Sequence, residues 1–386
     1  MWFGPWAVAL VLVSRPSAAC GGGGVTTSVE SGVVADTQRV VLALHDEGTT
    51  EVRTEIVAQI GVPAAGADYG VLIPVPGTPT VDNSPISTDD LDELDRATAP
   101  TLIIQQPDTS DDSGGGCSCG SDTKGDDDSG SGTLVASDNV SVSAPVNVGP
   151  ATVVVLAADD PSALGDWLDE NGFAIPSDQQ SLVDVYVENG YQFIALKRSD
   201  DAAPDGPTSI GLHYTLEGDH RQLSLAFARL GAAPHVAFTV FVASQHLVAP
   251  SDGFETLTLN HLDAGVLRTK GYSAAVGAAV AQAGAHAFVV ESTLGPPISA
   301  DVSREFRELL GINASPYNSL TRMSTVVAAD ALDADVRVDA AGKHVESKRT
   351  FYLSQGARLP LPRESSAGVL ALVLLSRSIR RRMRPT

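Results

Sequence analysis

The chain has 386 residues and a formal net charge of −22, from 25 Lys and Arg set against 47 Asp and Glu. Five of the basic residues fall in the last ten positions, so the body is more acidic than the total, and with no basic stripe it is excluded from nucleic-acid binding. A hydrophobic content of 43% excludes wholesale disorder, and an aromatic content of only 5% predicts a core of Val, Leu, Ala and Ile.

Trp2–Val13 is an apolar run followed by Ser17-Ala18-Ala19 directly before Cys20. An apolar stretch closed by small residues is the pattern of a secretory signal, so residues 1–19 are expected to be a signal peptide. No Lys or Arg precedes the run, as a positive n-region would require. Cys20 is a candidate for lipidation or processing, since a diacylated cysteine would anchor the mature end in a membrane. Ser17 stands where lipoprotein signals prefer a larger aliphatic residue.

Residues 20–106 read as a β-rich part. Gln38–His45 and Glu51–Ile60 alternate apolar and polar side chains, which predicts two half-buried antiparallel strands joined by a turn at His45-Asp46-Glu47-Gly48. Tyr69–Val75 is a third strand, closed by Pro74-Val75-Pro76 because proline cannot donate to a ladder. Thr88 is placed as the N-cap of a short helix with acids in its first turn and Leu91 and Leu94 inward, and Thr101–Gln105 as a further strand. Residues 107–132 are Asp, Ser and Gly with two cysteines inside, too polar to offset the entropy of ordering, and are expected to be a disordered insertion.

Residues 133–250 form the next part. Leu134–Val148 has β-type alternation and Thr152–Ala157 is a continuous apolar strand. Pro161–Glu170 is a helix with Leu164, Trp167 and Leu168 on one face, stopped by Asn171-Gly172. Asp178–Glu188 is a second helix presenting Leu182, Val185 and Tyr186, stopped by Asn189-Gly190. Tyr191–Lys197 is a strand, and Ile210–Leu216, Gln222–Leu230 and Val236–Ala243 are expected to form a three-strand meander with a turn at His220. In residues 251–355, Tyr272–Ala283 is an Ala-rich helix, Ala287–Glu291 a strand, Val302–Leu310 an amphipathic helix, and Asp335–Asp339 and Ser347–Leu353 strands. The fold class is α+β: mostly antiparallel sheets with a few short helices, an Asp/Ser/Gly-rich disordered insertion and apolar termini.

Residues 356–386 end in the apolar run Ala367–Leu375 followed by Arg377, Arg380, Arg381, Arg382 and Arg384. Nine apolar residues make roughly 14 Å of helix against a hydrocarbon core of about 30 Å, so the run is too short to span comfortably. It is either a sorting or anchor tail with its positive flank inside, or an amphipathic terminal helix. Cys117 and Cys119 are too close for common zinc spacings and are candidates for a disulfide with each other.

Several segments together resemble a bacterial envelope family known as domain of unknown function 2330. They are Cys20-Gly21-Gly22; Tyr69-Gly70-Val71-Leu72-Ile73-Pro74-Val75-Pro76; Val148-Gly149-Pro150 through Trp167-Leu168, Asn171-Gly172-Phe173 and Pro176; and Phe193-Ile194-Ala195-Leu196-Lys197. The resemblance covers roughly residues 20–250 and implies export, often with a C-terminal membrane segment; no activity or ligand travels with it. Each matching residue also has a structural use, as helix stop, strand punctuation or core.

Motif by motif, the chain offers no convergent catalytic set. Gly271-Tyr272-Ser273-Ala274-Ala275 only half resembles a nucleophile elbow, and Ser273 is expected to cap an Ala-rich helix. The eight histidines are scattered with no zinc-hydrolase spacing, Gly342-Lys343 lacks a phosphate loop's upstream glycine, and Asp219-His220-Arg221 reads as a charged turn. No cofactor and no metal is called for. The expectation is an exported cell-envelope protein with a non-enzymatic binding or structural role, contacting the membrane through its termini and an envelope partner of unknown identity. An exported hydrolase with a site assembled from residues distant in sequence is the alternative.

Overall fold

The structure, a computed structural model, describes residues 23–26, 33–45, 49–60, 69–84, 88–105, 140–148, 151–173, 175–198, 208–294, 319–341 and 350–354. Cys20, Cys117, Cys119, the stretch 107–132, the helix expected over Val302–Leu310 and both apolar termini lie outside these residues.

Strand formation follows the β-branched, alternating segments. The first is β1 (Gly23–Thr26), followed by β2 (Val33–Leu44), β3 (Thr49–Ile60), β4 (Tyr69–Val75) and β5 (Pro79–Val81). Helix α1 (Thr88–Thr98) comes next, with Asp89 and Asp90 in its first turn and Arg96 in its last, complementing the helix dipole. Thr88 is already helical rather than the residue before the helix. Strands β6 (Thr101–Gln105), β7 (Val140–Val142), β8 (Val146–Val148) and β9 (Ala151–Ala158) lead into α2 (Pro161–Glu170). Asp160 caps α2 by accepting from the Ser162 amide at 3.0 Å, and Pro161 fits the first turn, where its missing N–H costs nothing. Gly172, at φ +79°, ends it as the sequence pattern requires.

Helix α3 (Gln180–Glu188) precedes β10 (Gln192–Arg198), β11 (Thr208–Glu217) and the two-residue β12 (Gln222–Leu223). Strands β13 (Ala232–Ser244), β14 (Val248–Ser251) and β15 (Glu255–Thr258) follow. The last elements are α4 (Ala264–Lys270), α5 (Tyr272–Gln282), β16 (Ala287–Leu294), β17 (Ser319–Ala328), β18 (Val336–Ala340) and β19 (Thr350–Ser354).

These elements make a mixed α+β fold dominated by antiparallel pairing. A six-stranded sheet runs β1-β4-β10-β9-β7, with β8 also on β9; an eight-stranded sheet runs β15-β16-β17-β13-β2-β3-β11-β5. Within the larger sheet only β15–β16 and β13–β2 are parallel. A three-stranded sheet, β12-β18-β14, and a parallel β19–β6 pair complete the pairing among the described residues.

Side-chain alternation then sorts the layers. Val71, Ile73 and Val75 on β4, with Ile194 and Leu196 on β10, meet Val40, Leu42, Val240 and Val242 of the larger sheet in the principal core. Their neighbours Leu72, Phe193 and Ala195 point the other way, onto Leu164, Trp167 and Leu168 of α2 and Val183 and Tyr186 of α3. On the far face of the larger sheet, Val41, Ala43, Phe241, Ala243 and Leu320 receive Leu91 and Leu94 of α1. Helix α5 lies on that face too: a Cβ at Gly277 would meet Val326, which shares its side of β17 with Leu320 and Arg322.

Several expectations need correction. The meander does not form: β11 lies between β3 and β5, whereas β13 lies between β2 and β17, because the chain crosses over to bury both faces of one large sheet. Gln222–Leu230 is not one strand; β12 stops at Leu223 and Ala226–Arg229 is a short 3-10 helix whose Ala226 and Phe227 are buried. Helix α3 buries Val183, Tyr186 and Val187, leaving Leu182 half-buried and Val185 51% exposed. Strand β17 and helix α4 had no counterpart in the sequence-based expectation.

Candidate functional site

Buried charge is costly unless answered, so the charged side chains inside the fold mark its most constrained place. Strand β17 brings Arg322 and Ser324 to the face covered by α1 and α5. On neighbouring β16 the register slips between Val290 and Ser292 opposite Met323 and Arg322, so Glu291 is the extra residue of a β-bulge. The bulge turns a fully buried carboxylate toward the arginine.

Arg322 donates from Nε to Glu291 Oε2 at 2.5 Å and pairs through Nη2 with Asp95 Oδ1 of α1 at 2.8 Å. Its Nη1 donates to the Asp95 carbonyl at 2.7 Å and to Thr98 Oγ1 at 3.3 Å. The guanidinium also stands 5.4 Å from the centroid of Phe241. Glu291 Oε1 accepts from the Tyr272 hydroxyl at 2.6 Å and from the Ser324 hydroxyl. One turn earlier on α1, Asp92 pairs with the buried Arg39 of β2 at 2.6 Å.

Burial pushes the Asp95 carboxyl up, with Arg322 and Arg39 opposing it. Burial, helped by Glu291, pushes the Tyr272 phenol well up. Burial disfavours the Arg322 cation, but Glu291 and Asp95 outweigh it and hold the group above its ordinary value. Tyr272 and Ser324 both spend their protons on Glu291. The cluster therefore ties α1, α5, β16 and β17 together and presents no activated nucleophile.

A second polar cluster joins other layers. Tyr186 of α3 donates to Asp335 Oδ1 at 2.6 Å; the same oxygen accepts from the Ala226 amide at 3.1 Å, and Oδ2 accepts from Gln222 at 3.3 Å. Burial pushes the Asp335 carboxyl up, against the hydrogen bonds from Tyr186, Ala226 and Gln222. Burial, followed by Asp335, raises the Tyr186 phenol.

Between the two large sheets a small cleft of about 30 Å³ is lined by Leu42, Val52, Pro74, Pro76, Leu216 and His220, among others. That volume suits one or two waters. At His220, where a meander turn was expected, the chain instead bends at Gly218 and passes from β11 in the larger sheet to β12 in the three-stranded sheet. Gly218 sits at φ +106°, its carbonyl accepts from Thr50 Oγ1 at 2.8 Å, and that hydroxyl accepts from the His220 amide at 2.9 Å.

The candidate residues Cys20, Cys117 and Cys119 lie outside the described residues. Ser273 is not a cap: Gly271 occupies the N-cap position of α5. Among the described residues, no three His, Cys, Asp or Glu side chains group as a metal site. Two of the described histidines sit in separate local pairs, His213 on Asp82 at 3.2 Å and His286 on Asp333 at 2.6 Å. Sequence inspection missed Glu291, Arg322 and Asp95 as a unit. The available signal was a lone charged residue in each of two otherwise uncharged β-type runs, Glu291 in Ala287–Leu294 and Arg322 in Ser319–Ala328.

The fold and these clusters define an α+β protein built on two large and two small sheets among the described residues, with buried ion pairs between them and α1. The chain belongs to the bacterial family described as "Uncharacterized protein conserved in bacteria (DUF2330)", whose profile matches residues 16–336. That span is longer than the resemblance over 20–250 and takes in β16, β17 and the whole Arg322 cluster. No curated protein matches. Among solved structures, baculovirus P35 is 10% identical at a TM-score of 0.30, covering 58% of this chain and 72% of that one. A mutated P35 after caspase cleavage is 9% identical at 0.25, covering 56% and 74%. At such scores the likeness carries no argument about this chain.

Proposed function

We propose that this is an exported bacterial cell-envelope protein that works by binding or as a structural component. What supports the non-catalytic part is the chemistry of the buried cluster: among the described residues, Arg322, Glu291, Asp95, Tyr272 and Ser324 answer one another and act as a clamp. Export is supported by the apolar run Trp2–Val13 and by the family match beginning at residue 16, after that run ends. Cys20 is then the site of lipidation or processing, Cys117 and Cys119 form a disulfide in the oxidising compartment, and the Arg-rich tail holds the other end near the membrane.

Fractionation of the native host, with mass spectrometry of both mature termini, tests this. The expected product lies in the envelope fraction and starts at or next to Cys20. Recovery of the chain in the cytosol with Met1 intact would overturn the export reading.

A further inference from the structure

Ser224 and Thr325 are buried, 6% and 1% exposed, and the hydroxyl of neither makes a hydrogen bond to a described residue. Burying a hydroxyl without a partner costs free energy, so each calls for an explanation. Their surroundings differ. Thr325 shares its side of β17 with Met323 and Val327, inside the principal core. Ser224, directly after β12, borders the cleft of about 30 Å³ between the large sheets, together with His220 and Gln222.

The polar groups around the cleft are set up by bonds outside it. His220 Nε2 lies 2.7 Å from the Glu217 carbonyl. A carbonyl only accepts, so Nε2 carries the proton, and Nδ1 of the neutral ring is left as an acceptor. Gln222 donates from Nε2 to Asp335 Oδ2 at 3.3 Å, which leaves its Oε1 as an acceptor. Pro74 and Pro76, also in the lining, have no N–H to offer. A water takes about 10–15 Å³ of such space and two to four polar partners. The cleft therefore has room for two, with a hydroxyl at Ser224 that both donates and accepts. We propose that the cleft is a hydration site, in which an internal pair of waters is held on Ser224 Oγ and bridges it to the His220 and Gln222 side chains. The bound waters complete a polar seam across the fold. At one end Thr50 Oγ1 of β3 accepts from the His220 amide; at the other, Gln222 leads to Asp335 and through it to Tyr186 of α3. The site belongs to the fold itself and is independent of export and anchoring.

The two hydroxyls predict opposite signs in thermal melts of the full chain. Ser224→Ala removes a ligand of the bound waters and is expected to lower the melting temperature by about 2–4 °C. Thr325→Val removes an orphaned hydroxyl from the apolar core, keeps its shape, and is expected to leave the melting temperature unchanged or raise it. A high-resolution crystal structure is expected to show ordered water within hydrogen-bond distance of Ser224 Oγ, and that water is expected to be lost or displaced in Ser224→Ala. A dry cleft overturns the proposal, as does a Ser224→Ala chain that melts at or above the unmodified temperature. Equal losses in Ser224→Ala and Thr325→Val would overturn it too, because the cleft would then make no difference to what a buried hydroxyl is worth.

Discussion

Gly70 shows how a single hydrogen sets a packing distance. A Cβ at this position on β4 would overlap Cε1 and Cδ1 of Phe173, whose ring is 6.1 Å from that of Trp167 and nearly parallel to it. Trp167 and Phe173 are both fully buried, so the ring has no room to swing aside. Gly70→Ala is therefore expected to cost about 1–3 kcal/mol by overpacking, measured by urea denaturation. Trp167, Leu168, Phe173, Phe193 and Ala195 thus pack as one unit against Gly70, and beside it Lys197 Nζ donates to the Asn171 carbonyl at 3.3 Å. Asp335 carries a pH signature. Its folded pKa is raised by burial, so its protonated form contributes stability that is fully present below the unfolded value of about 3.9. That contribution is lost as pH rises through the raised folded value. The stability of the unmodified chain relative to Asp335→Asn should therefore fall from pH 4 upward, as read by urea midpoints of both proteins at pH 4 and pH 8; a pH-independent difference would contradict this.

Among the elements, β17 and the β16 bulge carry the buried charge, and their energetics are testable as a cycle. Arg322→Met removes one partner and strands Glu291 and Asp95 in a dry interior, which is expected to cost about 3–5 kcal/mol. Adding Glu291→Gln keeps an acceptor for Tyr272 while removing a charge, and should recover about half of that loss, a coupling measurable by denaturant unfolding of the two single variants and the double. Helix α3 shows why one inward face was misassigned. Leu182, Val183, Val185, Tyr186 and Val187 wrap most of its circumference, so periodicity alone favours no single stripe. Contact with the α2 layer selects Val183, Tyr186 and Val187.

For the whole molecule, the governing fact is that the larger sheet draws neighbours from distant parts of the chain. Strand β13 pairs in parallel with β2, and β17 closes against both β13 and β16. The C-terminal segment is part of this scheme: β18 is the central strand of the three-stranded sheet and follows directly after Asp335. The family match ends at residue 336, inside the first position of β18. A chain cut after residue 336 should accordingly lose about 3 kcal/mol or more relative to one ending at 355, since it deletes the ladders to β12 and β14 and the strand paired with β6. Thermal melts of the two truncations would show it, and equal melting temperatures would not be compatible with β18 as a central strand.

The sequence alone determined what is local. The α2 start at Pro161 and its stop at Gly172, the β2–β3 hairpin and most strand positions follow from side-chain alternation, capping chemistry and left-handed glycine, which act within a few residues. The family was legible too, through short segments in a fixed order. Only the tertiary structure decided which strands are neighbours and which charges meet. Asp95, Glu291 and Arg322 lie in three segments far apart in the chain, and no local pattern links them. Their pairing is set by burial, because a charge taken out of water must find its counterpart wherever the completed sheet brings it.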